Sequence, residues 1–140
     1  LIGSIVFYAC ARPKPVLEIV RNTPNYFTNY RLFGVDPKLM NEKNEFILET
    51  GMIDTTTEHR PVNTAMICIG HKTTQLTLTD FKKAGDETFI TYDGDGYTLI
   101  LSFTNHQPQD NPYGYEKAHI SIRNGGSKTE YEVYSKAGYF

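Results

Sequence analysis

The sequence predicts an all-β protein: an eight-stranded antiparallel meander closed into a barrel, with a β-sandwich as the alternative. Three observations lead there. Helical periodicity is nearly absent over the 140 residues. Eight short runs rich in β-branched and aromatic residues recur at close spacing instead. Most of the segments between them are hairpin-length connectors rich in Gly, Asn, Asp or Pro. Such spacing fits a meander that closes on itself or folds into two layers.

Taken in order, Leu1 to Ala11 is uncharged and mostly apolar, and too short to span a bilayer as a helix. It ends in Ala9-Cys10-Ala11, a small-x-small pattern of the kind signal peptidase cuts, before the polar Arg12-Pro13-Lys14-Pro15. Residues 1–11 are therefore expected to be the remnant of a secretory signal, with 12–140 as one domain. A first β-strand is the other reading of 1–11. If the segment stays, Cys10 and Cys68 are available to pair. Val16 to Val20 is a short helix or strand that ends before Pro24. The eight runs follow at 26–33, 45–53, 64–69, 75–81, 88–92, 97–103, 118–122 and 130–134.

Several runs alternate as a half-buried strand requires, since successive side chains point to opposite faces. Leu76 and Leu78 share one face against Thr77 and Thr79. Leu99, Leu101 and Phe103 oppose Thr98, Ile100 and Ser102. Ile120 and Ile122 oppose His119, Ser121 and Arg123. His119, beside Lys117 in this pattern, is expected on a solvated face.

Asp93-Gly94-Asp95-Gly96 joins two of the runs. Asp-Gly suits a hairpin turn, because the positive φ angles needed are cheap for Gly and tolerable for Asp. A calcium loop beginning at Asp93 would need an oxygen ligand at its fifth position and Glu at its twelfth. Tyr97 and Thr104 stand there. The stretch is expected to be a turn with no metal.

The net charge of −2, with both signs interspersed, gives no electrostatic reason to expect nucleic acid or an anionic membrane as partner. His59, His71, His106 and His119 form no zinc-binding spacing. No nucleophile elbow, phosphate loop or dinucleotide fingerprint is present. Neither catalysis, a cofactor nor a metal is expected. What stands out is an aromatic content of 13 %, with 10 Tyr and 8 Phe and no Trp. Tyrosine, apolar in body and polar at its tip, suits core packing and also walls that face a ligand or partner.

The order of the runs resembles the lipocalin (calycin) barrel. The stretch Tyr92 to Phe103, "YDGDGYTLILSF", is similar to the lipocalin segment in which an acidic turn and an aromatic lead into the last part of the barrel. "YFTNYRLFGVDP" from Tyr26 resembles the first strand of the divergent salivary lipocalins of ticks. The resemblance covers Val16 to about Tyr134. It implies a secreted carrier or scavenger that encloses a small hydrophobic or amine ligand. On the alternation, the ligand wall is expected from Tyr30, Phe46, Leu48, Leu99, Leu101, Phe103, Ile120 and Tyr131. The rival expectation is a closed-core β-sandwich that binds a protein, such as a host defence or receptor protein, through its loops. Thr104 to Lys117 would then be a contact surface.

Overall fold

A computed structural model describes residues 13–20, 30–51, 63–104 and 110–138. The expectations for residues 1–11, for Cys10 and for the first part of the 26–33 run lie outside these residues. Eight antiparallel strands form one closed barrel in simple sequence order. They are β1 (Tyr30–Gly34), β2 (Leu48–Thr50), β3 (Thr64–Ile69), β4 (Lys72–Ala84), β5 (Glu87–Gly94), β6 (Tyr97–Thr104), β7 (Glu116–Asn124) and β8 (Ser127–Gly138). The sheet closes where β1 pairs with β8, with Leu32 opposite Lys136 and Phe33 opposite Ser135. The barrel alternative therefore holds over the sandwich, and the arrangement is that of a lipocalin-like meander.

Four tight turns build the hairpins. Gly70-His71, Gly85-Asp86, Asp95-Gly96 and Gly125-Gly126 each separate a paired residue on either side. At Asp95 and Gly96 both φ angles are positive, +52° and +84°. That is the turn geometry whose twist matches two antiparallel strands. The expected hairpin is thus present, centred on Asp95-Gly96. Asp93 lies just before it, in β5.

The alternation read from the sequence sets the inside of the barrel. Leu76, Ile90, Tyr92, Leu99, Leu101, Ile120, Ile122 and Val133 are buried together in the main core. In register, Leu99 sits between Tyr92 and Ile122, and Leu101 between Ile90 and Ile120. A bulge between Leu78 and Asp80 inserts Thr79 into β4, so the pattern there slips by one. Phe81 consequently packs against the same core as Leu78.

The connector after β1 contains a helix, α1 (Pro37–Lys43). Asp36 caps it by accepting a hydrogen bond from the Lys38 backbone N–H at 2.9 Å, and Pro37 occupies the first turn. Asn44 ends it in the left-handed conformation. Met40, the buried residue of α1, joins Phe46 and Tyr115 in a second apolar cluster, with Leu32, Tyr113 and Tyr134 against it. The helix sits close over Gly34, where an added Cβ would come within 2.8 Å of the Met40 Sδ.

Residues 13–20 cross one end of the barrel as a strap. Leu17 is buried in the main core. Its N–H donates to the Tyr131 hydroxyl at 2.9 Å. The Glu18 N–H donates to the Cys68 carbonyl, and the Val20 N–H to the Phe46 carbonyl, each at 2.8 Å. The Glu18 carboxylate accepts from the His71 N–H at 2.6 Å, fastening the strap to the β3–β4 turn. Val16–Val20 is thus neither helix nor full strand, but a segment with one isolated bridge.

Candidate functional site

The end opposite the strap forms the mouth. Inward positions change character towards it, from Leu and Ile to Thr88, Ser135, Arg31 and Glu116. Thr88 and Ser135 are buried polar residues. Arg31 shares the face of Phe33, two residues on, and its guanidinium Nη1 donates to the Ser135 Oγ at 3.0 Å. Glu116, opposite Ser135 in the β7–β8 register, falls on the Ala118 face. Arg31, Phe33, Phe103, Glu116, Lys117, Ala118 and Ser135 surround a pocket of about 70 Å³. Its apolar floor and its few convergent polar groups are the usual composition of a small-molecule site, but its volume lies below the usual range of about 300–1,000 Å³.

Two larger hollows lie on the outside. One of about 220 Å³ is lined by Glu87, Ser102, Phe103, Thr104, Lys117, Ala118, His119 and Glu132. The other, about 530 Å³, lies where the strap meets the β3–β4 turn, against Glu18, Ile19, Cys68, His71 and Thr73. Cys68 is a buried free thiol there. Burial, and next the Glu18 carboxylate, push its pKa up, away from the reactive thiolate.

The wall residues expected from the sequence divide between places. Leu48, Leu99, Leu101 and Ile120 are buried in the main core. Phe103 and Tyr131 are half-buried and pack against it, Phe103 at the mouth pocket and Tyr131 beneath the strap. Phe46 belongs to the second cluster with Met40 and Tyr115, not to the main core. Tyr30 opens β1, and its side chain lies outside the described residues. The sequence reading missed Arg31, Glu116 and Ser135, which meet only through the register of β1, β7 and β8.

The two aspartates of the β5–β6 hairpin are engaged. Asp93 accepts hydrogen bonds from the hydroxyls of Thr79 and Thr98, and these two bonds, Thr79 first, hold its carboxyl below the usual range. Asp95 pairs with Lys72 at 3.3 Å. The two aspartates thus face separate partners. Among the described residues no group of three or more metal-ligating side chains converges. His119 lies on the outer face as expected, half-exposed, but with β8 carboxylates beside it. Its Nδ1 is 2.9 Å from Glu132 Oε1, and its Nε2 is 3.6 Å from Glu130 Oε1. In the Thr104–Lys117 loop, Asn111 accepts from the Tyr113 and Tyr115 N–H groups and donates to the Tyr115 carbonyl.

These features define a closed eight-strand β-barrel, strapped at one end, with a small amphipathic pocket at the other. Comparison of the chain with protein-family models, curated proteins and solved structures gives no match.

Proposed function

We propose that the protein is a secreted, non-catalytic carrier or scavenger of a small hydrophobic or amine ligand, seated at the barrel mouth. The observation that carries this reading is the mouth pocket itself. Phe33, Phe103 and Ala118 give it apolar walls, and Arg31, Ser135 and Glu116 place a cation, a hydroxyl and a carboxylate at one rim. An apolar body leaves water against the two aromatic rings, while a polar group finds a partner at the rim. Glu116 supplies the counter-charge for an amine. The secreted setting rests on the Leu1–Ala11 pattern. The resemblance to lipocalins points the same way.

The test is NMR mapping with small aromatic and aliphatic alcohols and amines. Saturable shifts confined to Phe33, Phe103, Ala118 and Ser135, weakened in Phe103→Ala, are expected. Absence of any saturable shift at these residues sinks the reading. A second reading, a protein-binding barrel with a closed core, is favoured by the interior: buried side chains fill it, and the mouth pocket is about 70 Å³. It becomes the better account if no small molecule binds.

A further inference from the structure

The β6–β7 ladder stops early. Its pairs run from Tyr97–Asn124 to Ser102–His119. Continuing that register would pair Phe103 with Ala118 and Thr104 with Lys117, yet these pairs are absent from it. Both strands persist beyond that point. Phe103 and Thr104 remain paired to Thr88 and Glu87 of β5, and Ala118 and Lys117 to Val133 and Tyr134 of β8. The barrel wall therefore has a seam at the mouth, flanked on each side by ordered ladder. Two of the three hollows lie on its two sides. The mouth pocket and the outer groove share Phe103, Lys117 and Ala118 as walls. Ala118 offers only a methyl group there, and Phe103 is half-buried.

The two sides differ in chemistry. Inside stand Phe33, Phe103 and Ala118. Outside, the groove carries two carboxylates, Glu87 and Glu132. The amine of Lys117, its one lysine, is already held by Asp110 at 2.6 Å. Glu132 has His119 beside it, whereas Glu87 has no ion-pair partner among the described residues.

Resting on the reading of the mouth pocket as a ligand site, we propose that the ligand is an elongated cationic amphiphile that lies through the seam. Its apolar end occupies the mouth pocket, and its charged end lies in the outer groove against Glu87 and Glu132. Phe103 is the side chain it passes. A compact ligand would use the mouth pocket alone. A ligand with an anionic head would meet two carboxylates in the groove and be disfavoured there.

Titration calorimetry with hexyltrimethylammonium, hexyl sulfate and tetramethylammonium separates these cases. Hexyltrimethylammonium is expected to bind at least about tenfold more tightly than either other probe, a preference of roughly 1.4 kcal/mol. The exposed double variant Glu87→Gln/Glu132→Gln should erase the preference over hexyl sulfate while its thermal unfolding stays that of the parent. Phe103→Ala should weaken both hexyl probes. If both hexyl probes bind equally, or if the double variant keeps the full preference, the seam placement is overturned and the mouth-pocket reading stands. If neither hexyl probe binds the parent protein, both readings fall together.

Discussion

Tyr92 carries a phenol into the middle of the barrel. The residue is fully buried, and its hydroxyl has no hydrogen-bond partner among the described residues. Burial drives its pKa well above the ordinary tyrosine value. An unpaired buried hydroxyl costs about 1–3 kcal/mol, whereas the ring itself is a large apolar filler. Tyr92→Phe keeps the ring and removes that cost. The variant is expected to be more stable than the parent by about 1 kcal/mol in urea unfolding, and a loss of stability would show that the hydroxyl is satisfied in solution. Asp93, one residue on, behaves in the opposite way. Its carboxylate accepts from the hydroxyls of Thr79 and Thr98, which lowers its folded-state pKa. A depressed folded pKa gives stability that is complete above the unfolded value and is lost as pH falls through the folded one. The acid limb of the stability curve, below about pH 4, should therefore be shallower in Asp93→Asn than in the parent. Equal limbs would mean that the two threonine hydroxyls do not favour the charged form.

At the scale of elements, the strap is the segment most dependent on a few contacts. Leu17 is buried in the core, and its N–H is met by the Tyr131 hydroxyl, which approaches from β8. Tyr131→Phe leaves that N–H without its partner at a nearly unchanged shape. The expected outcome is a loss of about 1 kcal/mol and faster amide exchange at Leu17 and Glu18 than at β6, and unchanged exchange at Leu17 would refute the anchoring role. Neither the strap nor α1 was legible in the sequence, for different reasons. The strap is held by partners far along the chain, Cys68 and Tyr131, so its local pattern carries no trace of them. The helix has a start signal in Asp36-Pro37, but its 7 residues are too few for a 3.6-residue period to emerge. The strands were legible where they alternate. Leu99, Leu101 and Phe103 share the inner face as read, because Thr98, Ile100 and Ser102 mark the other one. Around β2 the pattern fails. Phe46, Ile47 and Leu48 are consecutive and apolar, and all three are buried, Phe46 under α1 and the other two in the main core. No alternation rule separates them, and Phe46, expected on the ligand wall, packs in the second cluster with Met40 and Tyr115. The mouth pocket was illegible for a third reason: Arg31 and Ser135 are 104 positions apart and meet only through barrel closure.

For the whole molecule, the question is whether the barrel is a container or a core with a shallow mouth, and position along β6 decides it. Leu101 is 2 % exposed, lies between Ile90 and Ile120, and lines none of the three hollows described above. Phe103, one rung nearer the mouth on the same face, lines both the pocket and the seam groove. An arginine at Leu101 would put its charge among the packed side chains of the main core, and an unpaired buried charge is far more costly than a cavity. Leu101→Ala supplies the scale: truncating a buried Leu costs about 2–5 kcal/mol, against a typical domain stability of about 5–15 kcal/mol. The alanine variant is therefore expected to fold with a lowered Tm. Leu101→Arg is expected to be unfolded by circular dichroism at room temperature. Phe103→Arg should keep its fold, since its guanidinium can reach the rim beside Glu116 or the groove beside Glu87. Native spectra for Leu101→Arg would mean that the interior opens to water at that depth and that the barrel encloses far more space than the pocket at its mouth. Unfolding of Phe103→Arg together with Leu101→Arg would mean that the packed core extends through the mouth. Folding of Phe103→Arg alone places the boundary between core and site at the rung that separates Leu101 from Phe103.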